Sequence, residues 1–126
     1  MQLLSFLATP LVMPLAILFA GISLGQSKSP GDLVGNAENG KTIFMKNACY
    51  QCHGTMGQGG IAGARLMQTK LSQAGFIGFV RNPPPSGMPQ FRAKIMPDQE
   101  LADVYAYIKS IPEPKPVKDI PLLNGL

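Results

Sequence analysis

The pentapeptide Cys49-Tyr50-Gln51-Cys52-His53 decides how this chain is read. On one turn of helix, thiols three residues apart lie on the same side. The imidazole that follows projects from beside them. Such a set can make two covalent bonds along one edge of a flat molecule and place a nitrogen donor over its face. The chain holds two cysteines and one histidine, and all three lie in this motif. Other uses of the same residues fit less well. A thioredoxin-like redox pair needs a surrounding β-α-β pattern, which the sequence lacks. A structural zinc site wants four ligands, and no second Cys/His pair exists. A plain disulfide leaves His53 without a role.

C-x-x-C-H is the attachment signature of c-type haem, and imidazole is a good ligand for haem iron. The expectation is one haem c, joined through thioethers at Cys49 and Cys52, with His53 on the iron. With no second histidine, the candidates for the sixth position are Met56, Met67, Met88 and Met96. Met56 follows His53 too closely for the chain to round the haem edge. Met67, beside Leu66, reads as core. Met88 lies in Pro83-Pro84-Pro85-Ser86-Gly87-Met88-Pro89-Gln90-Phe91. Prolines stiffen that loop, and Gly87 allows the backbone a close approach. Met88 is therefore the expected ligand and Met96 a packing residue, with an open or water-filled site as the alternative.

Outside the motif the pattern is helical, and the fold class expected is all-α. Asn36 can cap a helix carrying Ile43, Phe44 and Ala48. Gly40 interrupts it, which suggests close approach by another element. A short helix is expected near Phe76 to Arg81. The strongest periodicity is Leu101, Val104, Tyr105 and Ile108, at i, i+3, i+4 and i+7. Asp98 and Glu100 at the start of this helix and Lys109 at its end match the helix dipole. Pro97 suits its entry and Pro112 its stop. About 75 residues of short helices and loops bury little apolar surface alone, so a flat apolar cofactor would complete the core.

The two ends differ from the middle. Residues 1–27 contain no charged side chain, and Leu3 to Leu24 is almost wholly apolar. The segment 1–25 reads as a signal peptide cleaved after Gly25, or as an N-terminal membrane anchor, because about 20 apolar residues span a bilayer. Either places the domain in the periplasm or another extracytoplasmic compartment. Residues 26–35 read as a linker, 36–111 as the domain and 112–126 as a Pro-rich tail, expected to be extended. The formal charge of +4 is too mild, and too unclustered, for nucleic-acid binding. It suits an acidic protein patch or an anionic membrane surface.

Together these motifs resemble the class I cytochromes c, of the small bacterial periplasmic mono-haem type. The likeness covers about Asn36 to Ile111. It rests on Gly40-Lys41-x-x-Phe44, Cys49 to Gly54, Gly57-x-Gly59-Gly60, Met88-Pro89-x-Phe91 and Leu101 to Ile108. The resemblance implies a cytochrome c fold wrapped round one covalent haem. Its first and last helices would cross at Gly40, Phe44 and Tyr107, and its axial ligands would be His53 and Met88. Two places depart from the pattern. Ala64 stands where the family commonly has a proline whose carbonyl orients the proximal imidazole. Pro97 stands where the last helix often has a serine, leaving Asp98 to supply the cap.

Arg81, Arg92 and Lys94 flank the Met88 loop and are candidates for pairing with haem propionates or a partner's acidic patch; Arg81 is the one singled out for a propionate. With both axial positions filled, the function expected is electron transfer, as a carrier or as the electron-transfer subunit of a periplasmic oxidoreductase, and not catalysis. Its partners would be redox proteins such as a dehydrogenase or a terminal oxidase. An open sixth site would instead mean a haem peroxidase or a gas-sensing module.

Overall fold

The first helix, α1 (Ala37–Lys46), is set by its ends. Asn36 Oδ1 accepts from the Asn39 N–H at 3.0 Å, which is the expected N-cap. At the other end Asn47 stops the helix and Ala48 takes the left-handed conformation, φ +58°. The Ala48 N–H reaches the Met45 carbonyl at 3.2 Å, and the Cys49 N–H reaches that of Phe44 at 3.1 Å. This is a Schellman end with alanine in the position that favours glycine. It reverses the chain straight into α2 (Tyr50–His53), so the motif turn is fixed by how α1 stops. Ala48→Gly should raise stability by up to about 1 kcal/mol, the left-handed strain relieved less glycine's extra freedom when unfolded. Chemical denaturation of the holoprotein checks this.

These elements belong to a computed structural model, which describes residues 29–85 and 87–123. The segment 1–25, read as a leader or anchor, lies outside the described residues. No described helix is long and apolar enough to cross a membrane. The described residues form helices, turns and loops without strand, as the all-α expectation has it.

Helix α3 (Gln73–Arg81) starts three residues before the expected span, at Ser72, whose Oγ accepts from the Gly75 N–H at 3.1 Å. It buries Phe76, Ile77 and Val80. Helix α4 (Asp98–Ser110) is the longest. Its cap differs from expectation. Pro97 occupies the N-cap with no side-chain cap bond, and Asp98 is already helical. The Asp98 carboxylate is drawn away from the helix end to the guanidinium of Arg81.

Helices α1 and α4 cross closely. A Cβ at Gly40 would fall inside the Asp103 carbonyl oxygen and 2.9 Å from the Val104 nitrogen, so only glycine permits this approach. Beside it the rings of Phe44 and Tyr107 pack with centroids 5.6 Å apart, tilted by 59°. Gly40, Phe44 and Tyr107 thus form the contact group the resemblance implied. The buried carboxylate of Asp103 lies at the same crossing. It accepts from the Asn36 N–H at 2.8 Å, Asn39 Nδ2 at 2.7 Å and Gln99 Nε2 at 3.0 Å. A buried carboxylate without such donors would cost several kcal/mol. Phe44, Met96, Leu101 and Ile108 are the most deeply buried large side chains.

Segments outside the crossing are tied to α3 and to the end of α4. Residues 30–33, within the stretch read as linker, lie against α3, where Gln73 Nε2 donates to the Pro30 and Leu33 carbonyls at 2.9 Å each. At the far end Gln68 serves as a C-terminal cap for α4. Its N–H reaches the Ile108 carbonyl at 3.2 Å, and its side-chain amide donates to the carbonyls of Lys109 and Ile111. The tail departs in part from the extended form expected of it, since residues 112–116 hold no helix but the stretch after them does. Short 3₁₀ turns occupy Val117–Asp119 and Pro121–Leu123. Proline holds φ near −65°, which a 3₁₀ turn accepts as readily as an extended chain. Local bonds select the turn, with Asp119 N–H to the Pro116 carbonyl at 2.8 Å.

Candidate haem site

Between α1, α3, α4 and the loops lies a cavity of about 210 Å³. Phe44 reaches it from α1, Leu101 and Val104 from α4, and Phe76, Phe79 and Val80 from α3. The motif contributes Cys49 and His53. The loop after α3 contributes Met88 and Phe91, and Met96 follows. So the cavity gathers Cys49, His53 and Met88, residues up to 39 positions apart. Cys52, the second expected attachment point, is exposed and is not part of the lining. Arg81 is not part of the lining either.

His53 is held by one bond of consequence. Its Nδ1 lies 2.7 Å from the Ala64 carbonyl oxygen. A carbonyl only accepts, so Nδ1 carries the proton and Nε2 keeps its lone pair for a metal. The departure from proline at Ala64 therefore leaves the orienting carbonyl in place. Glycine makes the approach feasible. A Cβ at Gly63 would lie 2.7 Å from the Cys52 carbonyl oxygen, so the loop runs directly over the motif turn. The Gly59 N–H donates to the His53 carbonyl at 2.8 Å, tying the same loop down. From α4, Tyr107 donates its hydroxyl to the Thr55 carbonyl at 2.9 Å. Burial pushes the Tyr107 phenol above its ordinary range, so this donor keeps its proton well into alkaline solution.

The cysteines are not bonded to one another. Burial is the main cause raising the Cys49 thiol, against a lowering backbone hydrogen bond, and the neighbouring Cys52 raises it further. Among the described residues no cluster of three or more His, Cys, Asp or Glu is gathered for a metal ion.

The methionines separate. Met56 is 51% exposed, and Met67 is buried in the core, as expected of it. Met88 is half-buried against the core, while Met96 is fully buried within it. Both of these residues line the cavity. Gly87 has φ +85° and no protein atom crowding it, so its freedom serves the turn into Met88.

The donor set and the apolar walls fit a haem: an oriented imidazole, a thioether and aromatic faces around one cavity. A family model described as cytochrome c oxidase, cbb3-type, subunit III matches residues 35–108, more than half of the chain. The chain belongs to that family. No match was found among curated proteins or among solved structures. As a member of this cytochrome c family the chain carries a c-type haem domain for electron transfer, and haem c with its iron is the cofactor. The cytochrome's sequence contains one attachment motif and no third cysteine.

Two hydrogen-bond networks beside the cytochrome's site had no signal in the sequence. One is made by the Arg81 guanidinium, which the sequence suggested only for a propionate. It donates to the Phe91 carbonyl at 2.6 Å and the Met96 carbonyl at 2.7 Å, and it pairs with Asp98. The other is made by Gln68, whose left-handed backbone, φ +55°, and capping amide tie the loop after the site to α4.

Proposed function

We propose that this cytochrome is a mono-haem electron-transfer module with His53 and Met88 as the axial ligands of one haem joined at Cys49 and Cys52. The carrying observation is the His53 Nδ1 bond to Ala64, which leaves Nε2 free on a residue that lines the same apolar cavity as Met88. When bound, haem supplies a one-electron couple at iron. His53 and Met88 would supply the two iron ligands, while the apolar walls exclude water and the Ala64 carbonyl keeps the imidazole from rotating. A closed site passes electrons without binding oxygen or peroxide.

The domain works outside the cytoplasm, with residues 1–25 as a signal peptide or a retained anchor. Its partner is another redox protein. The family description favours a terminal oxidase, which the cytochrome would serve as a carrier or as a non-catalytic subunit.

Visible spectra of the exported holoprotein test the ligation. A low-spin spectrum with the long-wavelength sulfur-to-iron band is expected in the oxidised form. A high-spin spectrum would instead mean an open sixth site, and with it a peroxidase or a gas sensor.

A further inference from the structure

The segment 82–97 leaves α3 and returns to α4, and its described residues hold no helix or strand. Its first part is stiff, because Pro83, Pro84, Pro85 and Pro89 restrict the backbone. Stiffness alone does not place a side chain; the loop must also be pinned. The pins converge on the last two residues of α3. The Phe91 N–H donates to the Val80 carbonyl at 3.3 Å, and Gln90 Nε2 donates to the Arg81 carbonyl at 2.7 Å. The Arg81 side chain then turns back over the segment. One guanidinium nitrogen takes the Phe91 carbonyl; the other takes the Met96 carbonyl and the Asp98 carboxylate. Phe91 is three residues after Met88, and Asp98 opens α4. The Arg81 side chain is 15% exposed, so water competes poorly for these bonds.

From this geometry we propose that Arg81 is a positioning residue for Met88, a clasp that holds the ligand loop between α3 and α4. The proposal rests on Met88 being the distal ligand. A thioether is a weak ligand, so its residence on iron depends on how far the loop can move. The planar fork spans acceptors on separate stretches of chain at once, which an ammonium group cannot reproduce. Removing it strands two carbonyls and lets Phe91, and with it Met88, swing outward.

The test uses the oxidised holoprotein with Arg81→Gln, Arg81→Lys and Asp98→Asn, and with Lys115→Gln, at an exposed residue of the tail, as a charge-matched control. Cyanide association and the pH at which the sulfur–iron band disappears are measured. Arg81→Gln and Arg81→Lys should both speed cyanide binding by about tenfold or more, the equivalent of one charge-assisted hydrogen bond. Both should also lose the band at lower pH. Asp98→Asn should act more weakly, since both carbonyl bonds remain, and Lys115→Gln should change neither reading. If Arg81→Gln does not accumulate as holoprotein, the lysine and Asp98 variants carry the same comparison. Parental behaviour in Arg81→Lys overturns the clasp. So does a change confined to the pH dependence of the midpoint potential, which would put Arg81 on a propionate. A parent protein lacking the band overturns the ligation reading, and the clasp with it.

Discussion

Met88→Ala will lower the midpoint potential and open the site to added ligands, while Met96→Leu will do neither. A thioether is a soft, neutral donor that favours ferrous over ferric iron, so methionine/histidine haems sit at higher potential. Losing it should drop the potential by on the order of 0.1 V, a modest part of the roughly 0.8 V that axial ligation spans. Cyanide and imidazole should bind Met88→Ala readily where the parent resists. The pair of variants is needed because Met88 and Met96 line one cavity. Their burial tells them apart. Met96 is 2% exposed within the continuous core, and its peptide carbonyl is held by Arg81. Met88 is half-buried on a proline-stiffened loop. Leucine conserves most of the Met96 volume, so Met96→Leu should cost less than about 1.5 kcal/mol. Loss of the sulfur–iron band in Met96→Leu, with the band kept in Met88→Ala, would reverse the assignment.

What the sequence made legible is what chemistry or period enforces locally. The C-x-x-C-H turn fixes donor types and spacing within five residues. Helix α4 shows in its 3.6-residue stripe, and α1 shows in its Asn36 cap. Gly40 announced a close approach without naming the partner; the partner is the Asp103 backbone. The unread features are long-range. Arg81 binds acceptors 10, 15 and 17 residues away, and Gln68 caps carbonyls 41 and 43 residues away. A hydrogen bond from a flexible side chain to a distant carbonyl leaves no trace in composition or period, because every residue offers that carbonyl. Asp98 shows the same limit. Its position favours a cap, but a guanidinium brought near by tertiary folding takes the carboxylate.

Gly40→Ala should destabilise the holoprotein by about 3 kcal/mol or more, and Gly78→Ala should stabilise it by up to about 1 kcal/mol. Both glycines lie inside helices, where alanine is intrinsically the better residue by roughly 1 kcal/mol. Space decides the sign. A Cβ at Gly78 meets nothing within 4 Å, so the propensity gain stands alone. A Cβ at Gly40 meets the Asp103 carbonyl and the Val104 nitrogen, which are backbone atoms of α4. Backbone inside a helix cannot rotate away as a side chain can, so the helices must part. Parting them loosens the Phe44–Tyr107 contact and pulls Asn36 and Asn39 from the buried Asp103 carboxylate. That adds an under-satisfied charge to the steric cost. Because α1 sets the start of the motif turn, Gly40→Ala should also lower the yield of protein with haem attached. Denaturant titration of both variants measures the signs, and haem content per chain measures the yield. Equal stabilisation by the two substitutions would mean that α1 and α4 do not cross at Gly40.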